Sequence, residues 1–73
     1  MKNVDLVMLG HNIRVERVKK NYSQEQLASI AKIQINHISR IENGLTDVRF
    51  STLVSILKAL NISFEQIYNL ELE

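Results

Sequence analysis

Apolar residues recur at every third or fourth position through most of the chain, with polar residues between them, which is the period of amphipathic helices. Leu6, Leu9, Ile13 and Arg17 form one stripe of a helix predicted over residues 5–20. Asn21 is its stop, since asparagine tolerates the left-handed cap conformation. Ser23 with Gln26 is the S-x-x-Q capping box that opens a second helix, with Leu27, Ala28 and Ala31 inward. A third helix spans residues 34–43 and ends at Gly44. A fourth spans residues 50–60, with Phe50, Leu53, Ile56, Leu57 and Leu60 inward and Asn61 as its cap. Ser63 with Gln66 repeats the capping box and opens a fifth helix, with Phe64, Ile67 and Tyr68 on one stripe. The stretch "IQINHISRIENG" alternates isoleucines at Ile33 and Ile35 as a strand would. Helical spacing then carries through Ile38 and Ile41, and neither flank supplies a hairpin turn, so no strand is predicted. The expected fold is all-α, five short helices in one domain over residues 1–73.

Composition narrows the class. The chain has no cysteine, which removes disulfides and thiolate metal sites. The N-terminal stretch holds no apolar run long enough for a signal sequence or a membrane span. A soluble, cytoplasmic protein is expected. With 73 residues, burial on folding reaches only about 60% of the unfolded surface, so stability is marginal without a partner. The net charge of +1 hides an asymmetry: residues 1–40 carry seven bases against three acids, and residues 41–73 two bases against five acids. A basic half can mean nucleic acid, but on charge alone a solvated helix face is the commoner reading.

Spacing decides between them. In "QEQLASIAKIQINHISRI", residues 24–41, Leu27, Ala31, Ile33, Ile38 and Ile41 fall where two helices crossing near a right angle must touch. Ala28 stands where they come closest and only a small side chain fits. This is the helix-turn-helix spacing, over about residues 23–43. The flanking segments "IRVERVKKNYSQEQLA", "ISRIENG" and "FSTLVSILKALNIS" follow in order. Together they resemble the Cro and lambda-repressor-like, xenobiotic-response-element type of transcription regulator over nearly the whole chain. There are departures. Lys32 stands where that family usually has a turn glycine, Asn21 and Asn61 replace two other glycines, Val48 replaces a common proline, and Arg49 a capping serine. These leave the path of residues 44–50 open.

The resemblance implies a compact lambda-repressor-like domain that binds double-stranded DNA, with the third helix as reader. On a helical wheel with Ile35 at the origin, Ser39, Asn43, Asn36 and Arg40 lie at about 40°, 80°, 100° and 140°. Ile38 and Ile41 lie on the other side, and Ile35 sits on the border between core and surface. The resemblance places Ile35 towards the major groove, where it can meet a thymine methyl. Asn36 suits adenine and Arg40 suits guanine by paired hydrogen bonds, while Ser39 can donate or accept. Gln24 and Gln34, each opening a helix, suit phosphate oxygens, with Asn43 joining them at the far end. Arg17 and Glu42 match positions that the family joins by a buried ion pair, which makes them structural. Lys32 and Arg49 are weaker candidates, for phosphate or minor-groove contacts.

One such motif reads few base pairs, and the family pairs about a twofold axis. A homodimer through residues 60–72 is therefore expected, where Ile62, Phe64, Ile67, Tyr68 and Leu70 supply surplus apolar side chains. No metal or cofactor is expected, because His11 and His37 lie apart with no ligand cluster around them. With no nucleophile triad or phosphate loop, an enzyme is not expected either. The expected function is a sequence-specific regulator, a repressor by resemblance, acting as a dimer on an inverted repeat. Short relatives include phage Cro-like repressors, controller proteins of restriction–modification systems and antitoxins, and the sequence does not choose among them. The rival reading is an antitoxin whose main surface meets a toxin, using Val4, Val7, Met8, Leu70 and Leu72 near the termini.

Overall fold

In the computed structural model, which describes residues 3–68, the backbone enters its first helix through a side-chain cap. Asn3 Oδ1 accepts hydrogen bonds from the N–H groups of Asp5 (2.9 Å) and Leu6 (3.3 Å), opening α1 (Val4–Lys19). Asp5 in the first turn and Arg17 and Lys19 in the last complement the helix dipole. Asn21 takes the left-handed conformation (φ 61°) and turns the chain into α2 (Gln24–Ala31). The capping box forms there: Ser23 Oγ accepts from the Gln26 N–H at 3.0 Å, and Gln26 Oε1 from the Ser23 N–H at 2.7 Å.

The lysine at the turn adopts the conformation that a glycine would take most easily. Lys32 is left-handed (φ 59°), at a cost of roughly 1–2 kcal/mol that a glycine would avoid. The Ile33 N–H returns to the Ala28 carbonyl at 2.9 Å, closing the end of α2. Helix α3 (Ile35–Glu42) is a residue shorter at each end than the pattern predicts, with Gln34 and Asn43 as its caps. Val48 packs half-buried against the core, and Arg49 is an extended cap without a side-chain bond. They lead into α4 (Phe50–Leu60), which ends at left-handed Asn61 (φ 54°). Helix α5 (Phe64–Ile67) opens with Gln66 Oε1 accepting from the Ser63 N–H at 2.9 Å. There is no strand among the described residues.

All four longer helices and α5 converge on one core: Ile13, Leu27, Ala28, Ala31, Ile38, Ile41, Leu53, Ile56, Leu60 and Ile67. The structure corrects two apolar assignments. Phe50 is 80% exposed instead of inward. A helical side chain covers the turn preceding its own Cα, and Phe50, first in α4, follows extended backbone and has no such turn to cover. Phe64, Ile67 and Tyr68 do not share a stripe. The helix ends at Ile67, Tyr68 is extended (φ −147°), and only Ile67 enters the core. Phe64 stays 47% exposed with its ring 5.7 Å from that of Tyr68.

Two bonds tie α5 to α1. Asn12 Nδ2 donates to the Ile67 carbonyl at 2.8 Å, and the Tyr68 hydroxyl to Asp5 Oδ1 at 3.2 Å. Partial burial, and then the bond to Asp5 and its charge, raise the Tyr68 phenol above its ordinary pKa.

Candidate nucleic-acid interface

Helix α3 is strongly two-faced. Ile38, Ile41 and Glu42 are buried, while Asn36, Arg40 and Asn43 are exposed and Ser39 is half-buried. Ile35, on the border of the wheel, is 43% exposed and lies on the outer side with the polar set. Gln34 is exposed just before it. The outer face carries no carboxylate, because the one acid of α3, Glu42, is turned inward. Asn43 Nδ2 donates to the Ser39 carbonyl at 2.9 Å, and Arg40 Nη2 to the Leu45 carbonyl at 3.3 Å. The Leu45 N–H in turn bonds the Arg40 carbonyl at 2.9 Å, so the loop after α3 folds back beside Arg40.

The inward end of α3 is held by charge. Arg17 Nε donates to Glu42 Oε2 at 2.7 Å and Nη2 to Oε1 at 3.0 Å, a bidentate pair with both side chains buried. Arg17 Nη1 also donates to the Tyr22 carbonyl at 2.7 Å. No buried side-chain nitrogen or oxygen among the described residues lacks a partner. The ion pair expected by resemblance is therefore present and complete.

Sequence reading missed the third member of this network. Gln24 Nε2 donates to Glu42 Oε1 at 3.1 Å, so Gln24 is half-buried and its amide orientation is fixed by the same carboxylate. Gln24 thus joins the start of α2 to the end of α3. Gly10 was missed too. It is buried on α1 against the Ile41 and Glu42 carbonyls, too close for any side chain. Its only signal in the sequence is a glycine inside a helix, where the residue costs about 1 kcal/mol against alanine. His11 is exposed and His37 half-buried, and no group of three metal-ligating side chains is found among the described residues.

Two short helices joined by a left-handed turn, with the second presenting a polar, acid-free face, are what a major groove accepts. A family model described as Helix-turn-helix matches residues 13–67. The chain belongs to this family. It is a DNA-binding transcription regulator of the Cro and lambda-repressor-like type. Control protein C.SmaI of Serratia marcescens is 41% identical over 56 residues, which span 77% of this chain and 67% of that protein. The restriction–modification controller protein C.AhdI from Aeromonas hydrophila has a similar structure, with a TM-score of 0.87 and 27% identity, covering 90% of this chain and all of the other. The wild-type controller protein C.Esp1396I matches with a TM-score of 0.81 and 27% identity, over 86% of this chain and 82% of its own.

Proposed function

We propose that this protein is a controller-type regulator that binds an inverted repeat in double-stranded DNA as a homodimer. The observation that carries the reading is the outer face of α3, polar, free of carboxylates and flanked by a reading-size apolar group. In this reading Arg40 contacts guanine and Asn36 adenine, Ile35 meets a thymine methyl, and Ser39 adds an adaptable hydroxyl. Gln34 and Asn43 contact phosphates from the two ends of α3, and Gln24 does so with the part of its amide that Glu42 leaves free. Repression follows where such a site overlaps a promoter, because bound protein excludes the polymerase. The work is cytoplasmic and needs no cofactor or catalysis. No helix among the described residues is long and apolar enough to cross a membrane. The names of the relatives support the controller role over the antitoxin alternative.

Pairing runs through residues 60–72, of which 69–72, with Leu70 and Leu72, lie outside the described residues. Ile67 is spent on the monomer's own core, so within the described part Phe64, Ile62 and Tyr68 supply the contact surface. Twofold pairing sets two reading helices in successive major grooves about 34 Å apart.

Selection of bound duplexes from a random library tests the reading directly. An inverted repeat with half-sites one helical turn apart is expected. Sedimentation at micromolar concentration, with and without a half-site duplex, tests the dimer. A monomer in both states that gains nothing from a second half-site would overturn it.

A further inference from the structure

Gly10 lies on α1, far in sequence from the helix that faces outward, yet it packs directly against the backbone at that helix's end. A Cβ built on Gly10 would stand 2.1 Å from the Ile41 carbonyl oxygen and 2.8 Å from that of Glu42. Side-chain carbons essentially never come within 3.0 Å of such atoms, so a methyl here demands a displacement of about 1 Å. The obstacle is backbone on both sides, and no flexible side chain can move aside. Gly44 makes a second close approach one turn away. Its Cβ would stand 2.8 Å from both Cα and Cγ2 of Val7, which lies one turn before Gly10 on the same face of α1. The Arg17–Glu42 pair closes the same seam from the other side. Three contacts thus seat one end of α3, that of Arg40 and Asn43, directly on α1.

We infer that Gly10 is a positioning residue for DNA recognition: it sets how deeply the C-terminal end of α3 sits, and so how far Arg40 reaches towards the bases. The inference rests on α3 being the reading helix. The N-terminal end of α3 follows the Lys32 turn and is held through α2, so a methyl at Gly10 tilts α3 instead of translating it. Binding constellations tolerate misplacement of about 0.5 Å, and the demanded shift exceeds this. Contacts near Arg40 are therefore lost while those of Gln34 persist. Base choice should suffer where overall attraction to DNA does not.

The experiment starts with the parent protein, whose preferred site is selected from a random library and whose dependence on Arg40 is shown with Arg40→Ala. Gly10→Ala is then compared with the parent at a temperature where both are folded by circular dichroism. Affinities are measured for the selected site and for random duplex. The expected result is about a tenfold fall in the ratio of specific to random affinity, with random binding unchanged. Loss of preference should concentrate at the base pair that Arg40→Ala also relaxes, and amide chemical-shift changes should concentrate on residues 39–44. A role in stability alone would lower the melting temperature and leave the ratio of the folded protein untouched. Gly44→Asn, which tolerates the positive φ but adds a Cβ against Val7, should give the same pattern more weakly. A folded Gly10→Ala protein whose ratio stays within about twofold of the parent's overturns the inference. So does an unfolded Gly10→Ala protein paired with an unchanged ratio in Gly44→Asn, or unfolding of both. A parent with no site preference, or one indifferent to Arg40→Ala, instead overturns the reading of α3 itself.

Discussion

The end of α3 and the end of α5 are both anchored on α1, and by opposite means. The end of α3 is fixed by buried charge, with the Glu42 carboxylate shared between Arg17 and Gln24. The end of α5 is fixed by a neutral amide bond from Asn12 and a partly exposed phenol on Asp5. A buried charge pair has sharp geometry and a steep penalty for losing one partner, whereas a part-buried neutral bond loses less and yields more easily. The helix proposed to read DNA is on the stiff anchor. The segment proposed to meet a second copy is on the compliant one.

Breaking the stiff anchor should have the largest effect. Glu42→Ala strands the Arg17 guanidinium in the core and frees Gln24, and should cost about 3–5 kcal/mol of folding stability in urea titration. The double variant Arg17→Met, Glu42→Leu should recover most of that, since two packed apolar groups replace the pair without leaving a lone charge. A Glu42→Ala loss below about 1 kcal/mol would mean the pair is no stiffer than a surface bridge.

Next comes the proposed reading face that the anchor supports. Arg40→Ala should lose about 1–3 kcal/mol on the selected site and relax choice at one base pair, measured by fluorescence anisotropy across single-base variants. Gln24→Ala should weaken specific and random duplexes about equally, and it should also lower stability slightly because it removes a bond to Glu42.

On the compliant side, Asn12→Ala leaves the Ile67 carbonyl without its donor and should cost about 1 kcal/mol. If α5 carries the pairing surface, the same variant should weaken self-association in sedimentation more than it weakens half-site binding. Equal effects would mean that α5 takes no part in assembly.

The smallest effect concerns pH. The Tyr68 phenol is raised in the folded state, so the folded protein holds its proton more tightly than the unfolded chain. That contribution is complete below the unfolded pKa and fades as pH rises past about 10. Tyr68→Phe should flatten this part of the stability profile, and an unchanged profile would assign it to other groups.

How much of this was legible in sequence depended on whether a residue's partner was local. Ser23 with Gln26, Asn21 and Asn61 act within a few residues of themselves, and their caps formed as the pattern predicts. The Arg17–Glu42 pair was legible through family resemblance, since neither residue alone tells which charge is buried. Ile35 lay on the border of the wheel, and only the packing of α3 against its neighbours put it outside. Gln24 read as a free amide because its partner is a carboxylate 18 residues away. Gly10 was silent because a glycine has no side chain to declare a contact. Phe50 misled because periodicity does not show where a helix's first turn lacks a preceding turn to cover.

The left-handed lysine between α2 and α3 has a consequence for the thermodynamics of association. A glycine at that position would remove strain but would widen the range of backbone states open to the turn. Lys32, left-handed at φ 59°, has fewer such states open to it than a glycine would. If α3 reads DNA as proposed, less backbone freedom in the turn is left to be lost on docking. Under that reading, Lys32→Gly trades the strain of the free protein for a looser turn, relieving roughly 1–2 kcal/mol of folding cost while raising the ordering cost of docking.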